Sequence, residues 1–178
     1  MKSNNLTQLF FLLSLIVFLV SGCDEGIAPR PEAIDLGFEG TISFIGEWPE
    51  GVQRTHIVMF KEPLNSADDF TILNIRYIGS EIPANSTTYD YNTSDNFLEA
   101  GLEAGDYAYL AVAQSFSPAL SLVRSDWVVV GIYSNNPDQS PSTLTLPANA
   151  SLDNINITCD FTNPPPQPPG KNQALPSY

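Results

Sequence analysis

The chain has 178 residues, of which 20 are Asp or Glu and 7 are Lys or Arg, so its formal net charge is −13 at pH 7. Nucleic-acid phosphates would repel such an acidic chain, which argues against nucleic-acid binding. Only two cysteines are present, so at most one disulfide could form and the fold has to depend on its hydrophobic core.

The N-terminal segment has the features of an export signal. It starts with a cation, Lys2, and continues in an apolar stretch over residues 9–20 that only Ser14 interrupts. A membrane-spanning helix needs roughly 20 apolar residues, so this stretch is too short to be a permanent anchor. The pattern predicts a cleavable secretory signal over residues 1–22.

The end of this segment, Val20-Ser21-Gly22-Cys23, resembles the lipobox of bacterial lipoproteins. The resemblance implies cleavage between Gly22 and Cys23 and attachment of a diacylglyceryl group, with palmitate-type acyl chains, to the Cys23 sulfur through a thioether. The partner of the mature protein would then be a membrane, since two or more acyl chains give durable attachment. An ordinary secretory signal with a chance cysteine is the alternative.

Asp24 and Glu25 bear on the location of the mature protein. An aspartate directly after the cysteine resembles the inner-membrane retention signal of enterobacterial lipoproteins. An early acidic pair resembles the surface-export signal of Bacteroidetes-type lipoproteins, and of the two interpretations we favour this one. We therefore expect a lipid-anchored protein of the bacterial cell envelope, at the outer membrane rather than the inner.

Three segments follow the signal. Residues 23–37 contain Gly26, Pro29 and Pro31 and predict a lipidated, flexible tether. Residues 38–162 predict a single β domain. Residues 163–178 begin with a proline-rich run that cannot join a sheet, because proline lacks an amide donor, and they predict a disordered tail.

Within the domain, apolar and β-branched residues recur in short segments separated by turn residues. The segment 55–60 is apolar on both faces, which predicts a central buried strand. The Ser66-Ala67-Asp68-Asp69 run before one segment is also compatible with a helix start. The spacing indicates an all-β antiparallel β-sandwich, prealbumin- or Ig-like, of about seven to nine strands. The predicted strands are residues 41–45, 55–60, 70–78, 87–91, 107–114, 127–133, 143–146 and 154–161.

Residues 102–113 carry a leucine, a turn glycine (Gly105) and a tyrosine (Tyr107) that opens a strand. This pattern resembles a hairpin of transthyretin-like and carboxypeptidase-regulatory-type β-sandwiches, and Gly40-Thr41-Ile42 resembles their opening strand. Residues 126–133 resemble a strand of uncharacterised envelope lipoproteins of the same architecture. The resemblance implies an accessory or binding module, and it carries over no catalytic residue.

The candidates for chemistry are few. The single histidine, His56, lies in phase with Val58 and Phe60 on a predicted strand, where a structural role is favoured over that of a base. Neither a serine-type triad nor a zinc site can be assembled around it, so we expect no enzyme, no cofactor and no resident metal. Cys159 lies on an apolar strand face, which predicts a buried, inert thiol. A hydrolase with an unrecognised site remains an alternative.

Acidic loops and aromatic residues offer two further possibilities. Asp68, Asp69 and the loop at residues 90–95 carry carboxylates but lack the EF-hand spacing, so solvated loops are favoured over calcium sites. Ligand-facing aromatics are the remaining candidates: Trp48, Tyr89 and Tyr91. We expect a non-catalytic binding or structural module, with a carbohydrate- or protein-binding accessory factor as the alternative.

Overall fold

The computed structural model describes residues 36–93, 96–98 and 102–170. The predicted signal, the Cys23 lipidation site and most of the tether lie outside the described residues, as do residues 171–178. The described residues belong to one compact unit, residues 34–178. None of the helical segments in these ranges has the length and apolar character needed to cross a membrane.

The described part of the chain is all-β, as predicted. Its two helical segments are short 3-10 turns, η1 (Ala67–Asp69) and η2 (Arg124–Asp126). There are ten strands, or nine if β6 and β7, which only Ala108 separates, are counted as one. The strands are β1 (Glu39–Ile45), β2 (Arg54–Phe60), β3 (Ile75–Gly79), β4 (Thr88–Asn92), β5 (Asn96–Leu98), β6 (Gly105–Tyr107), β7 (Tyr109–Ser115), β8 (Trp127–Ile132), β9 (Leu144–Leu146) and β10 (Ile157–Asp160).

The strands form three sheets. A five-stranded antiparallel sheet has the order β5-β3-β2-β7-β8, and a three-stranded sheet has the order β10-β1-β4. The small third sheet pairs β6 with β9. β1 runs parallel to β10, with Ile42 opposite Ile157, so the expectation of purely antiparallel pairing is corrected at this pair.

Side chains from the three- and five-stranded sheets meet in one hydrophobic core. Alternation places Ile57 and Met59 of β2 on this inner face, as well as Leu110 and Val112 of β7. Ile42 and Ile157 contribute from the three-stranded sheet. The central, buried position predicted for residues 55–60 is confirmed, since β2 is the middle strand of the five-stranded sheet and all of these residues except the half-buried Val58 are buried.

The outer face of the five-stranded sheet is also apolar. A second buried cluster contains Phe60, Ile78, Tyr109, Ala111 and Val129, which lie on β2, β3, β7 and β8. The segment between β2 and β3 contributes Leu64 and Phe70 to this cluster. The predicted strand at residues 70–78 begins only at Ile75, because residues 71–74 form a turn in which the N–H groups of Asn74 and Ile75 donate to the carbonyl of Thr71. Phe70, before this turn, packs on Phe60 at a ring distance of 5.3 Å.

The chain after β10 lies against the edge of β8. The side chain of Gln167 pairs with Val129 like a strand, accepting from its N–H at 2.9 Å and donating to its carbonyl at 2.7 Å. Pro165 and Pro168 are buried. We call residues 164–170 the strap; of the segment 163–178 that was predicted to be disordered, residues 171–178 lie outside the described residues.

Candidate binding site

An apolar chamber lies between the outer face of the five-stranded sheet and the segments that cover it. Its floor includes Val58, Ala111 and Val129. Its roof comes from the β2–β3 connection with Phe70, the β7–β8 connection with Leu120 and Leu122, and the strap with Pro168. Leu120 and Leu122 are 39% and 52% exposed, so they form the outer rim. The chamber has a volume of ≈ 30 Å³, which is room for about one or two water molecules and no more.

Arg124, the first residue of η2, supplies a cation to this chamber. Its side chain is buried, with only 6% of the residue exposed. Nη1 donates to the carbonyl of Trp127 at 2.6 Å and Nη2 donates to the carbonyl of Pro168 at 2.9 Å, whereas Nε has no hydrogen-bond partner. The guanidinium is thus held in place by neutral backbone oxygens.

No carboxylate compensates this charge among the described residues. The ion pair seen there joins Arg54 to Glu81, and the described lining of the chamber contains no Asp or Glu. Burial lowers the pKa of Arg124 below its usual value, but a guanidinium stays protonated at neutral pH. The chamber therefore contains a buried positive charge in an apolar setting, which is costly unless a partner compensates it.

Tyr109 and His56 are the other titratable groups that line the chamber. Burial raises the pKa of the Tyr109 phenol, and the nearby Arg124 charge opposes part of that rise. The phenol is therefore a neutral hydroxyl at physiological pH. His56 hydrogen-bonds through Nδ1 to the carbonyl of Gly79 at 3.0 Å, and because a carbonyl only accepts, Nδ1 carries the proton.

The strap closes one side of the chamber. Pro168 lines the chamber while its carbonyl oxygen accepts from Arg124. Gly170 then turns with φ of 88°, and a Cβ there would lie 3.1 Å from Cγ of Arg124. The strap, Arg124 and the edge of β8 thus form one connected arrangement.

The three aromatic residues proposed from the sequence lie elsewhere. Trp48 packs against Phe44 in a tilted arrangement and against Phe161 edge-on, at ring distances of 4.8 and 5.5 Å, and its Nε1 donates to the carbonyl of Ser86. Tyr91 is 4% exposed, and Tyr89 packs against the same core while remaining partly exposed. The structure places all three around the core between the sheets and brings none of them to the apolar chamber.

Cys159 is buried on the inner face of β10, as its position in an apolar alternation predicted. Burial raises its thiol pKa well above the usual value, so the thiolate, which is the reactive form, is suppressed. Among the described residues no three His, Cys, Asp or Glu side chains lie close enough together to hold a metal ion. The Asp69 carboxylate instead accepts from the N–H groups of Asn65 and Ser66.

Sequence reasoning missed Arg124 and Gln167. A signal for Arg124 was available in the sequence, since it is a lone cation that follows an apolar loop and precedes a buried strand. The loop contains Leu120 and Leu122, and the strand begins at Trp127. No family model, no curated protein and no solved structure gave a significant match to this chain.

Proposed function

We propose that this chain is a lipid-anchored protein of the bacterial cell envelope whose β domain is a non-catalytic binding module. The observation that carries the proposal is the run Val20-Ser21-Gly22-Cys23 after a short apolar stretch. The other cysteine, Cys159, is buried and is therefore a poor acceptor for any modifying enzyme. Cys23 is left as the thiol that lipidation would use.

The described domain supports the binding part of the proposal. Two sheets of three and five strands share a core, an arrangement that fits the transthyretin-like β-sandwich we propose for it. The apolar chamber combines apolar walls with one cation, Arg124, the combination by which small-molecule sites obtain affinity and fix orientation. With the strap in place its volume of ≈ 30 Å³ admits only water, so a ligand would need the strap to move. Attachment at the outer membrane belongs to the same proposal and rests on Asp24 and Glu25.

Metabolic labelling tests the anchor. In a bacterial host fed an alkyne-bearing palmitate analogue, we expect the wild-type chain to be labelled and to partition into the detergent phase. Cys23→Ala should lose the label, while the matched control Cys159→Ala should keep it. An unlabelled wild-type chain, or a labelled Cys23→Ala variant, would contradict the proposal.

A further inference from the structure

Pro168 lines the apolar chamber and contacts Arg124 in the way a ligand would. Its carbonyl oxygen accepts from Nη2 of Arg124 at 2.9 Å, and the residue also forms part of the chamber wall. Pro168 thus presents two features to this site, a hydrogen-bond acceptor oxygen and, next to it, a compact apolar ring. A free molecule with the same two features would satisfy the same contacts.

We propose that the chamber binds a small carboxylate with a compact apolar body, which replaces Pro168 on Arg124 when the strap moves aside. The inference deepens the proposed function, on which it rests, by naming a ligand class for the binding module. It is tested separately from the lipid anchor, because neither Arg124 nor the strap takes part in the chemistry at Cys23.

The charge of the site selects a carboxylate over a neutral acceptor. Arg124 is 6% exposed and its Nε has no hydrogen-bond partner, while no Asp or Glu is part of the described chamber lining. A carboxylate can engage a guanidinium through two parallel hydrogen bonds, and such charge-assisted bonds are stronger than those to a neutral carbonyl. Replacing the carbonyl of Pro168 with a carboxylate would thus neutralise a buried charge.

The walls and the size of the chamber select a compact apolar body. The floor and the roof present Val58, Ala111, Phe70 and Leu120, and the free volume with Pro168 in place is ≈ 30 Å³. Because a proline ring now forms this wall, we expect an apolar body of about that size to take its place once Pro168 leaves. A sugar would leave its hydroxyl groups without partners against these walls.

The strap is suited to reversible displacement. It follows the last strand, so its departure leaves the three sheets intact. Its proline residues lack N–H groups and form no backbone ladder with β8, where the side chain of Gln167 makes the two bonds to Val129. Apparent affinity scales with the fraction of molecules whose site is open, so loosening the strap should tighten ligand binding.

The test uses the full chain carrying Cys23→Ser, so that no fatty chain competes for the chamber. Benzoate and cyclopentanecarboxylate are titrated against the corresponding uncharged amides, with the indole N–H signal of Trp127 as the NMR reporter. Trp127 lines the chamber, whereas Trp48 packs between the sheets; Trp48→Phe assigns the two signals. We expect saturable binding of at least one carboxylate and at least tenfold weaker binding of its amide.

Three variants make the outcome decisive. The Gln167→Ala variant should bind the carboxylate severalfold more tightly than the protein that keeps Gln167. Arg124→Gln should lose binding, while the matched control Arg76→Gln, whose residue is not part of the described lining, should not. If Arg124→Gln does not fold, the comparison of carboxylate with amide in Gln167→Ala decides alone. Absence of binding at millimolar concentration in Gln167→Ala, or equal binding of acid and amide, would overturn the proposal.

Discussion

Gly131 shows how one residue sets the distance between the two large sheets. A Cβ on Gly131 of β8 would lie 2.5 Å from Sγ of Cys159 and 3.0 Å from the carbonyl oxygen of Thr158, both on β10. Atoms in a folded core do not approach this closely, so β8 and β10 can be neighbours only because residue 131 has no side chain. The role of this glycine is to provide space rather than an unusual backbone angle.

Adding a methyl group at this position should therefore destabilise the domain. We expect Gly131→Ala to reduce the free energy of unfolding by about 1–3 kcal/mol, the usual cost of overpacking a core. Urea denaturation followed by circular dichroism measures this change. The double variant Gly131→Ala/Cys159→Ala should show favourable coupling, because removing Sγ makes room for the new methyl. A Gly131→Ala domain as stable as wild type would contradict this packing.

At the scale of elements, the sequence pattern predicted the positions of the central strands well. It did not predict which distant strands pair with each other. The boundaries expected for residues 41–45, 55–60 and 107–114 agree with β1, β2 and β7 within two residues, because each is a short run rich in apolar or β-branched residues between turn residues. Burial on both faces makes this signal strong for β7, in which every residue is buried. The parallel pairing of β1 with β10 was not predictable, since it depends on residues more than a hundred positions apart.

The strap shows a second limit of sequence reasoning. The absence of amide donors in its prolines was recognised, and it does keep the strap backbone out of the sheet. The contact with β8 instead uses the side-chain amide of Gln167, a type of pairing that carries no periodic signal. The chamber was missed for the same reason, since its roof comes from loops and its cation, Arg124, belongs to a single short turn.

Removing the amide of Gln167 should uncover the edge of β8. At about 0.5–1.5 kcal/mol net for each hydrogen bond, we expect Gln167→Ala to lose up to about 3 kcal/mol of unfolding free energy. The Val129 amide, which donates to Gln167, should also exchange its hydrogen faster. Hydrogen exchange followed by NMR measures the effect, with the amide of Ile57 in the central strand as the internal reference. Unchanged exchange at Val129 would show that the strap does not protect this edge.

At the scale of the whole molecule, charge repulsion is the dominant electrostatic feature. The chain carries a net charge of −13, and the ion pair found among the described residues, between Arg54 and Glu81, is partly exposed, with 30% and 46% of the two side chains accessible. Exposed pairs contribute little, typically below about 1 kcal/mol. The folded domain therefore concentrates negative charge, and the repulsion destabilises the compact state. Attraction between opposite charges offsets little of this destabilisation.

Salt should consequently stabilise this protein. Raising NaCl from about 10 mM to about 150 mM shortens the Debye length from about 30 Å to about 8 Å, which screens repulsion between carboxylates spread over the folded surface. We expect the midpoint of urea unfolding to rise over this range. Arg54→Gln serves as the control, because it removes the ion pair with Glu81 that salt would weaken and should leave the rise intact or enlarge it. A midpoint that falls with salt in both proteins would mean that local attractions, and not net charge, govern the electrostatics of the fold.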